Sequence, residues 1–469
     1  MNTSPLPVPG VLQRYKNFVL GVFVIYLLNS CTPKLSPVDL PLEKPAEFSI
    51  TKGEVMPDNW WEEFDDPALD SLISLGLEEN LLLSGNREAY FAALATVQRE
   101  KSFLFPQLNG FAGASSRNPA NQVSGDPDFN AGLTAAYELD LWGRVRAGIQ
   151  AEKYTASAIL QDYQSAAMSI SAEIANTWFQ LLTTRKQLEL VDQQIKTNEE
   201  IVRLIRARFA GGQIRAVDIL RQEQLLESTR NLKVTYETNL GIYKNQMAVL
   251  LGRPPQNVNL FPEEILPELP PLPAPGLPLE LIRRRPDVQR DYLLLLAADR
   301  DMAYAMRSKL PVISLEATGQ FRAGNFDNLF QNWAYTLAGN LLTPLFYGGR
   351  LSAEVKRTEA VKNQRLYEYG ETILIAFQEV ENALLQEQKQ QERLEIMAKQ
   401  LDLAQKTSKQ LRIEFLNGMS NYLDVLLALD EQQQLERELL FARLEQLEIR
   451  VALYRSLAGG FKVPMENSL

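Results

Sequence analysis

The chain has 469 residues, 48 Lys and Arg against 58 Asp and Glu, a formal charge of -10, one cysteine and no histidine. Imidazole acid–base chemistry, histidine-ligated metals and disulfides within the chain are therefore excluded. No run of Lys and Arg forms the basic stripe of a nucleic-acid binder. Such a length could form several domains, but internal repetition sets the organisation instead.

Residues 1–30 look like an export signal. Arg14 and Lys16 precede an apolar run from Phe18 to Leu28, which is short for a transmembrane helix. The ending Leu28-Asn29-Ser30-Cys31 looks like a bacterial lipobox, in which Cys31 would carry the acyl chains, palmitate among them. The other reading is an ordinary signal with an incidental cysteine. Thr32 rather than Asp after the cysteine looks like sorting to the outer membrane. Residues 31–57 mix proline with polar residues and read as an extended tether, with packing beginning at Trp60, Trp61 and Phe64.

From Pro67 to about Phe105, Leu69, Leu72, Ile73, Leu77, Leu81 and Leu82 recur at helical spacing, and Pro106 ends the helix. The period then changes. Leu108–Ser116 and Phe129–Leu139 read as two strands across an Asn-, Pro- and Asp-rich turn; Val312–Phe321 and Trp333–Leu342 are their counterparts. All four have the length of tilted membrane strands joined by polar loops, although alternation is weak in the first. Soluble hairpins are the alternative. An open sheet edge in hydrocarbon is prohibitively costly, so membrane strands would require several chains to close one barrel, and three chains would give twelve strands.

Long helices follow. Residues 145–209 contain no proline, and neither do residues 351–415; the returning helices are expected over about 216–251 and 422–457. Leu181, Leu188, Ile195, Val202 and Phe209 recur every seven residues, as in a left-handed packing seam. The returning helices are shorter, and the helices near 67–105 and 279–309 can stack on their ends to make up the length.

Each long hairpin turns on a related segment. Arg208-Phe209-Ala210-Gly211-Gly212 with Asp218-Ile219-Leu220 matches Glu414-Phe415-Leu416-Asn417-Gly418 with Asp424-Val425-Leu426, each position 206 residues on. The same offset relates Leu139–Arg144 to Leu345–Arg350 and Glu173 to Glu379. The chain is thus a duplicated domain: a first repeat over 58–261 (strand hairpin 107–140, helical hairpin 145–251), a linker over 262–278 with seven prolines, a second repeat over 279–461 (strand hairpin 311–344, helical hairpin 351–458) and a tail over 462–469.

Tyr137-Glu138-Leu139-Asp140-Leu141-Trp142-Gly143-Arg144, Arg284-Arg285-Pro286-Asp287, Pro344-Leu345-Phe346-Tyr347-Gly348-Gly349-Arg350 and Leu453-Tyr454-Arg455-Ser456-Leu457-Ala458-Gly459-Gly460 resemble the signature segments of the outer membrane efflux protein family. The similarity covers roughly 57–461 and is nearest to the family's lipoprotein branch. It implies a mixed α/β membrane protein: a homotrimer whose duplicated strand hairpins form a 12-stranded outer-membrane β-barrel, continuous with a long periplasmic α-helical barrel. The tube would narrow at the hairpin tips, where a periplasmic adaptor (membrane fusion) protein and an inner-membrane transporter of the resistance-nodulation-division class dock. The resemblance implies a passive exit duct with outer-membrane lipid around it, no enzyme activity and no cofactor or metal.

On this resemblance Asp424 would supply a ring of three carboxylates and Leu423 an apolar narrowing, while Leu427 stands where relatives have a second acid. Arg208, Arg215, Arg221 and Tyr422 are candidate clamps for such a ring; Tyr422 reads equally as packing between hairpins. Asp424 and Asp218 also read as ordinary helix-start acids. Gly211, Gly212, Asn417 and Gly418 form the tip turns and a candidate adaptor contact. Glu173 and Glu379 are wall salt bridges or lumen lining. Two further readings compete: a type I secretion duct for proteins or peptides, which usually lacks a lipobox, and a non-conducting coiled-coil lipoprotein, which leaves the paired strand hairpins unexplained.

Overall fold

The structure is a computed structural model and describes residues 48–49, 59–117, 126–255, 266–274, 276 and 278–457. The signal, Cys31, most of the tether and the tail over 462–469 lie outside the described residues. Helices are α1 (Pro67–Glu79), α2 (Leu81–Ser102), α3 (Arg144–Ala210), α4 (Ala216–Leu250), α5 (Pro278–Arg284), α6 (Pro286–Arg307), α7 (Arg350–Leu416) and α8 (Tyr422–Leu457). Strands are β1 (Gln107–Arg117), β2 (Asp126–Leu139), β3 (Val312–Ala323) and β4 (Trp333–Leu342). Short 3-10 helices cover Trp60–Phe64 and Phe326–Gln331. Both α3 and α7 run for 67 residues, about 100 Å at 1.5 Å per residue. None of the described helices is apolar enough to cross a membrane.

Two compact units emerge, and each draws on both sequence repeats. The first holds the four strands and the helix segments flanking them, 89–160 and 290–370. Its sheet is antiparallel in the order β1-β2-β3-β4, so β1 and β4 are open edges. The register sorts the side chains by face. One face carries the rows Leu108/Ala135/Ala317/Leu337, Gly110/Leu133/Gly319/Tyr335 and Ala112/Ala131/Phe321/Trp333. Leu108, Leu133, Trp333, Tyr335 and Leu337 are all more than half exposed there, which suits hydrocarbon and not water. The opposite face carries Gln107/Ala136/Glu316/Ala338 and Asn109/Thr134/Thr318/Thr336, with the Thr134 and Thr318 hydroxyls 3.3 Å apart.

Below the strands, Asp140 caps α3 by accepting from the Val145 and Arg146 amides at 2.9 and 3.0 Å. Arg144 pairs with Glu138 at 2.7 Å, and the Trp142 indole donates to the Pro311 carbonyl at 2.7 Å. Gly143, Gly348 and Gly349 take positive φ where strand passes into helix, as their place in the repeat implies. One expectation fails here. The β3–β4 connection is not simply polar: its 3-10 helix buries Leu329 and sets Phe326 against Phe129 and Phe330 against Phe321.

The second unit holds the described residues within 42–88, 161–289 and 371–469. Its aromatic centre joins Trp60, Trp61, Phe64, Phe179 and Tyr454, with Trp60 stacked on Tyr454 at 5.6 Å. Packing begins earlier than Trp60: Phe48 is buried against Phe377, and the Ser49 amide donates to Glu381 at 2.9 Å.

The helix expected over 67–105 is broken, because Asn80 interrupts it. The Asn80 side-chain oxygen caps the Leu82 and Leu83 amides at 2.9 and 3.1 Å, while its amide donates to the Leu250 carbonyl at the end of α4. The end of one helix is thereby joined to the start of another through a single buried side chain. Arg285 does the same in the second repeat. It sits at the break in the expected helix over 279–309, which Pro286 imposes, donates to the Ser456 carbonyl at 3.2 Å and pairs with Asp287 and Glu379 at 2.6 and 2.7 Å. Both carbonyls lie in the last turns of the returning helices, as end-to-end stacking requires.

Candidate functional site: the paired helix tips

Both hairpins reverse through the same hydrogen-bonded turn. At the first tip the Gly212 amide donates to the Phe209 carbonyl (2.8 Å) and Gln213 to Arg208 (3.0 Å); at the second, Gly418 donates to Phe415 (3.1 Å) and Met419 to Glu414 (2.8 Å). These are paired Schellman turns, which need a left-handed residue after the helix. Gly212 and Gly418 supply it with φ of 73° and 76°. A side chain at either would meet open space, so backbone conformation rather than crowding selects glycine. Gly211 and Asn417 precede them, both exposed.

The two tips share one apolar core of Ile205, Phe415, Tyr422, Val425 and Leu426, with Ile201, Ile214, Ile219, Leu225 and Leu411 around it. Phe415 meets Tyr422 edge-on at 5.4 Å, and the Arg208 guanidinium lies over the Phe415 ring at 5.0 Å. The first repeat is thus fastened to the second at its end.

Tyr422 is 4% exposed and donates to the Gln222 side-chain oxygen. Of the two readings of Tyr422, packing between hairpins is the one these contacts support. Burial first, and the neighbouring Asp218 charge second, hold its phenol well above the usual tyrosine range. The neutral form is favoured in the fold, so its contribution is complete below about pH 10 and is lost as pH rises beyond. A phenolate titration should show one late-ionising tyrosine that is missing from Tyr422→Phe. A difference between the two proteins centred near pH 10 would place this ring in water instead.

Asp218 is 3% exposed. It accepts from the Arg215 backbone amide and guanidinium at 3.2–3.3 Å, with Arg221 at 3.7 Å. Both arginines lie on its own hairpin, so they cap the start of α4 and balance its charge. Asp424 is only partly buried. Its amide is capped by the Asn421 side chain at 3.1 Å, and its carboxylate accepts from the Ser420 hydroxyl at 3.3 Å. Leu423 is partly exposed and Leu427 is 59% exposed. A cavity of about 230 Å³ beside them is lined by Arg221, Gln224, Leu225, Leu426, Leu427 and Asp430. Glu379 is a wall ion pair with Arg285, and Glu173 accepts from Gln246 at 2.6 Å. Among the described residues no three acidic or cysteine side chains are grouped to hold a metal.

Of the heptad positions expected to form the seam of α3, Leu181 and Val202 are buried, Leu188 and Ile195 are half-buried, and Phe209 is 45% exposed. The buried line runs through Gln187, Val191, Gln194, Asn198, Val202 and Ile205. Asn198, fully buried, joins an amide network: it donates to Thr229 (3.1 Å) and Gln433 (3.2 Å) and accepts from Gln222 (3.3 Å) and Gln433 (3.2 Å). Through Gln222 the network reaches Tyr422. Gln194 continues it by donating to the Gln433 carbonyl at 3.1 Å and accepting from Arg437 at 2.7 Å. A polar line therefore ties α3 and α4 to α8 behind the tip core.

A four-stranded open sheet with an apolar outer face, joined in sequence to two duplicated helical hairpins, defines a class of outer-membrane channel. The chain belongs to the outer membrane efflux protein family, whose model matches residues 72–253 and 277–459. It is 28% identical over 451 residues to the pyoverdine export outer membrane protein OpmQ of Pseudomonas aeruginosa, covering 93% of this chain and 95% of that one. It is 30% identical over 420 residues to the antibiotic efflux pump outer membrane protein ArpC of Pseudomonas putida, covering 86% and 85%. Among solved structures, the outer-membrane channel OprN superposes with a TM-score of 0.85 at 25% identity, over 92% of this chain and 99% of that one. The fold is also that of the Vibrio cholerae outer membrane protein VceC, with a TM-score of 0.80 at 23% identity over 86% and 99%. Family channels are trimers with a β-barrel and a long helical barrel, so the open β1 and β4 edges are closed by neighbouring copies and the protein resides in the outer membrane.

Proposed function

We propose that three copies of this chain form the passive exit duct of a tripartite efflux assembly, gated at the paired helix tips. The observation that carries the gate is the first turn of α8. Two Schellman turns and one apolar core fix it, yet Leu423 and Asp424 stay partly exposed and Leu427 exposed within the chain. Three copies would set one carboxylate per chain around the axis, with Leu423 narrowing the aperture and Leu427 adding apolar surface rather than a second acid. Like charges around a narrow pore favour cations, and among the described residues the Ser420 hydroxyl is the donor to each carboxylate from its own chain.

The cargo would be small organic compounds, following relatives named for pyoverdine, antibiotic and solvent export. A periplasmic adaptor would seat on Gly211, Gly212, Asn417 and Gly418 and link them to an inner-membrane transporter of the resistance-nodulation-division class. Cys31 would carry the lipid anchor. The contacts of Phe48 and Ser49 with α7 support a tether that runs along the chain's own helices. The domain limits remain those of the repeats: 58–261 and 279–461 about a linker over 262–278.

Planar-bilayer conductance of the trimer, wild type beside Asp424→Ala, tests the gate. Small cation-favouring steps that grow and lose cation preference in the variant are expected. Unchanged steps would remove Asp424 from the gate, and a folded trimer without current would favour the structural-lipoprotein reading.

A further inference from the structure

Among the four strands the polar face carries one aromatic side chain, Phe111; its other large apolar residues, Val312 and Leu342, pair at the opposite end of the sheet beside the helices. Phe111 lies in the row Phe111/Gly132/Gln320/Ala334, between the row Asn109/Thr134/Thr318/Thr336 and the row Gly113/Asn130/Arg322. Its register with Gly132 places it on the face opposite Leu108, Gly110 and Ala112, because side chains alternate along a strand. In a closed barrel the face bearing Leu133, Phe321, Trp333, Tyr335 and Leu337 meets lipid, and the face bearing Phe111 meets the lumen. Gly132 opposite it cannot be larger, since a Cβ there would come within 2.3 Å of the Gly319 carbonyl oxygen and 2.8 Å of the Gln320 Cα. The ring therefore has no side chain directly across from it on β2.

Threefold symmetry repeats the ring at one height, on every fourth strand. The flanking layers lie about 7 Å away along the strand and carry only Asn, Thr, Gly and Arg322, the last neutralised by Asp128 at 2.7 Å. We propose that the three Phe111 side chains form an aromatic layer inside the barrel lumen that retains the aromatic or apolar part of an exported molecule on its way out. This site rests on the duct reading and is distinct from the helix tips. Its ligand class is small aromatic or apolar organics, held by ring-to-ring contact between layers whose longer side chains are polar.

Two readouts on the full trimer test it. The first is labelling with a charged thiosulfonate applied from the external side. Phe111→Cys and Asn109→Cys should react, Ala112→Cys should not, and wild type is the blank for Cys31. The second is block of bilayer current by benzyltrimethylammonium against tetramethylammonium. Phe111→Ala should weaken the benzyl compound's block about two- to tenfold and leave tetramethylammonium unchanged, while Phe111→Trp should keep or strengthen it. Labelling at Ala112→Cys but not Phe111→Cys overturns the face assignment. Labelling at Phe111→Cys with equal block in all three proteins overturns the retention site. An absence of current in wild type, with Asn109→Cys also unreactive, fells the duct reading itself and the aromatic layer with it.

Discussion

Arg450→Met is expected to destabilise the helical unit by about 3–5 kcal/mol, the usual cost of stranding one partner of a buried ion pair. Arg450 is 2% exposed and Glu387 8% exposed. The Arg450 guanidinium bonds a Glu387 oxygen on α7 and also donates to the Pro270 and Pro271 carbonyls, so one side chain fastens the proline-rich linker to two helices. The second Glu387 oxygen is buried without a protein hydrogen bond, which leaves it dependent on Arg450 for compensation. Glu387→Gln should cost less, because the amide still accepts while the arginine keeps its two carbonyls. The double variant Arg450→Met/Glu387→Met should recover much of the loss, since apolar replacement of a buried pair is often neutral. The loss that remains measures the linker contacts. Unfolding rates of the trimer are the right measurement, because large assemblies of this kind unfold irreversibly. Equal behaviour of the single and double variants would show that the pair is not coupled, and that Arg450 acts only through the linker.

Much of this architecture was legible because residue type alone announces it. Proline-free runs bounded by Gly211-Gly212 and Asn417-Gly418 gave helix limits within a residue or two of Arg144–Ala210 and Arg350–Leu416. Glycine at a helix reversal has one dominant physical cause, and both tip glycines show it. The strands were harder. Phe111, on a face where the other β1 residues are polar or small, blurs the alternation of β1, and only the register resolves it. The β3–β4 connection misled because Asp327, Asn328 and Asn332 look solvated, while Leu329 between them is buried and Phe326 and Phe330 pack on the strands.

The candidate site divides in the same way. Asp218 and Asp424 occupy equivalent places in the repeat, and residue type alone does not separate them; only the family resemblance singles out Asp424. The structure separates them: Arg215 and Arg221 cover one, and a single hydroxyl serves the other. Asn80 was hidden for a different reason. No proline or glycine marks the break at that point, and the side chain works by bridging to a carbonyl 170 residues away. Hydrophobic periodicity cannot detect such a residue. Nor can it detect Gln187, Gln194 and Asn198, since amides score as solvent-facing while here they are the buried seam.

That seam gives the second large effect. Asn198→Leu should cost about 3 kcal/mol or more, because each buried polar group left without a partner costs about 1–3 kcal/mol. The substitution keeps nearly the same volume but strands both ends of the Gln433 amide and the Gln222 side-chain nitrogen. Gln222 also holds the Tyr422 hydroxyl, so the loss propagates to the shared core of the two tips. If the tips form the gate, Asn198→Leu should leak: basal conductance rises although neither Leu423, Asp424 nor Leu427 has been touched. Lys196→Leu, two residues away on the exposed side of α3, should change neither stability nor current. Asn198→Asp separates shape from hydrogen bonding, since it fits the space but loses both donated bonds and adds a buried charge, so it should leak as well. Stability lost without any leak would confine the amide network to folding. A leak in Asn198→Leu at undiminished stability would mean that the network holds the tips closed without being needed to hold the fold, which would make it part of the gate rather than its foundation.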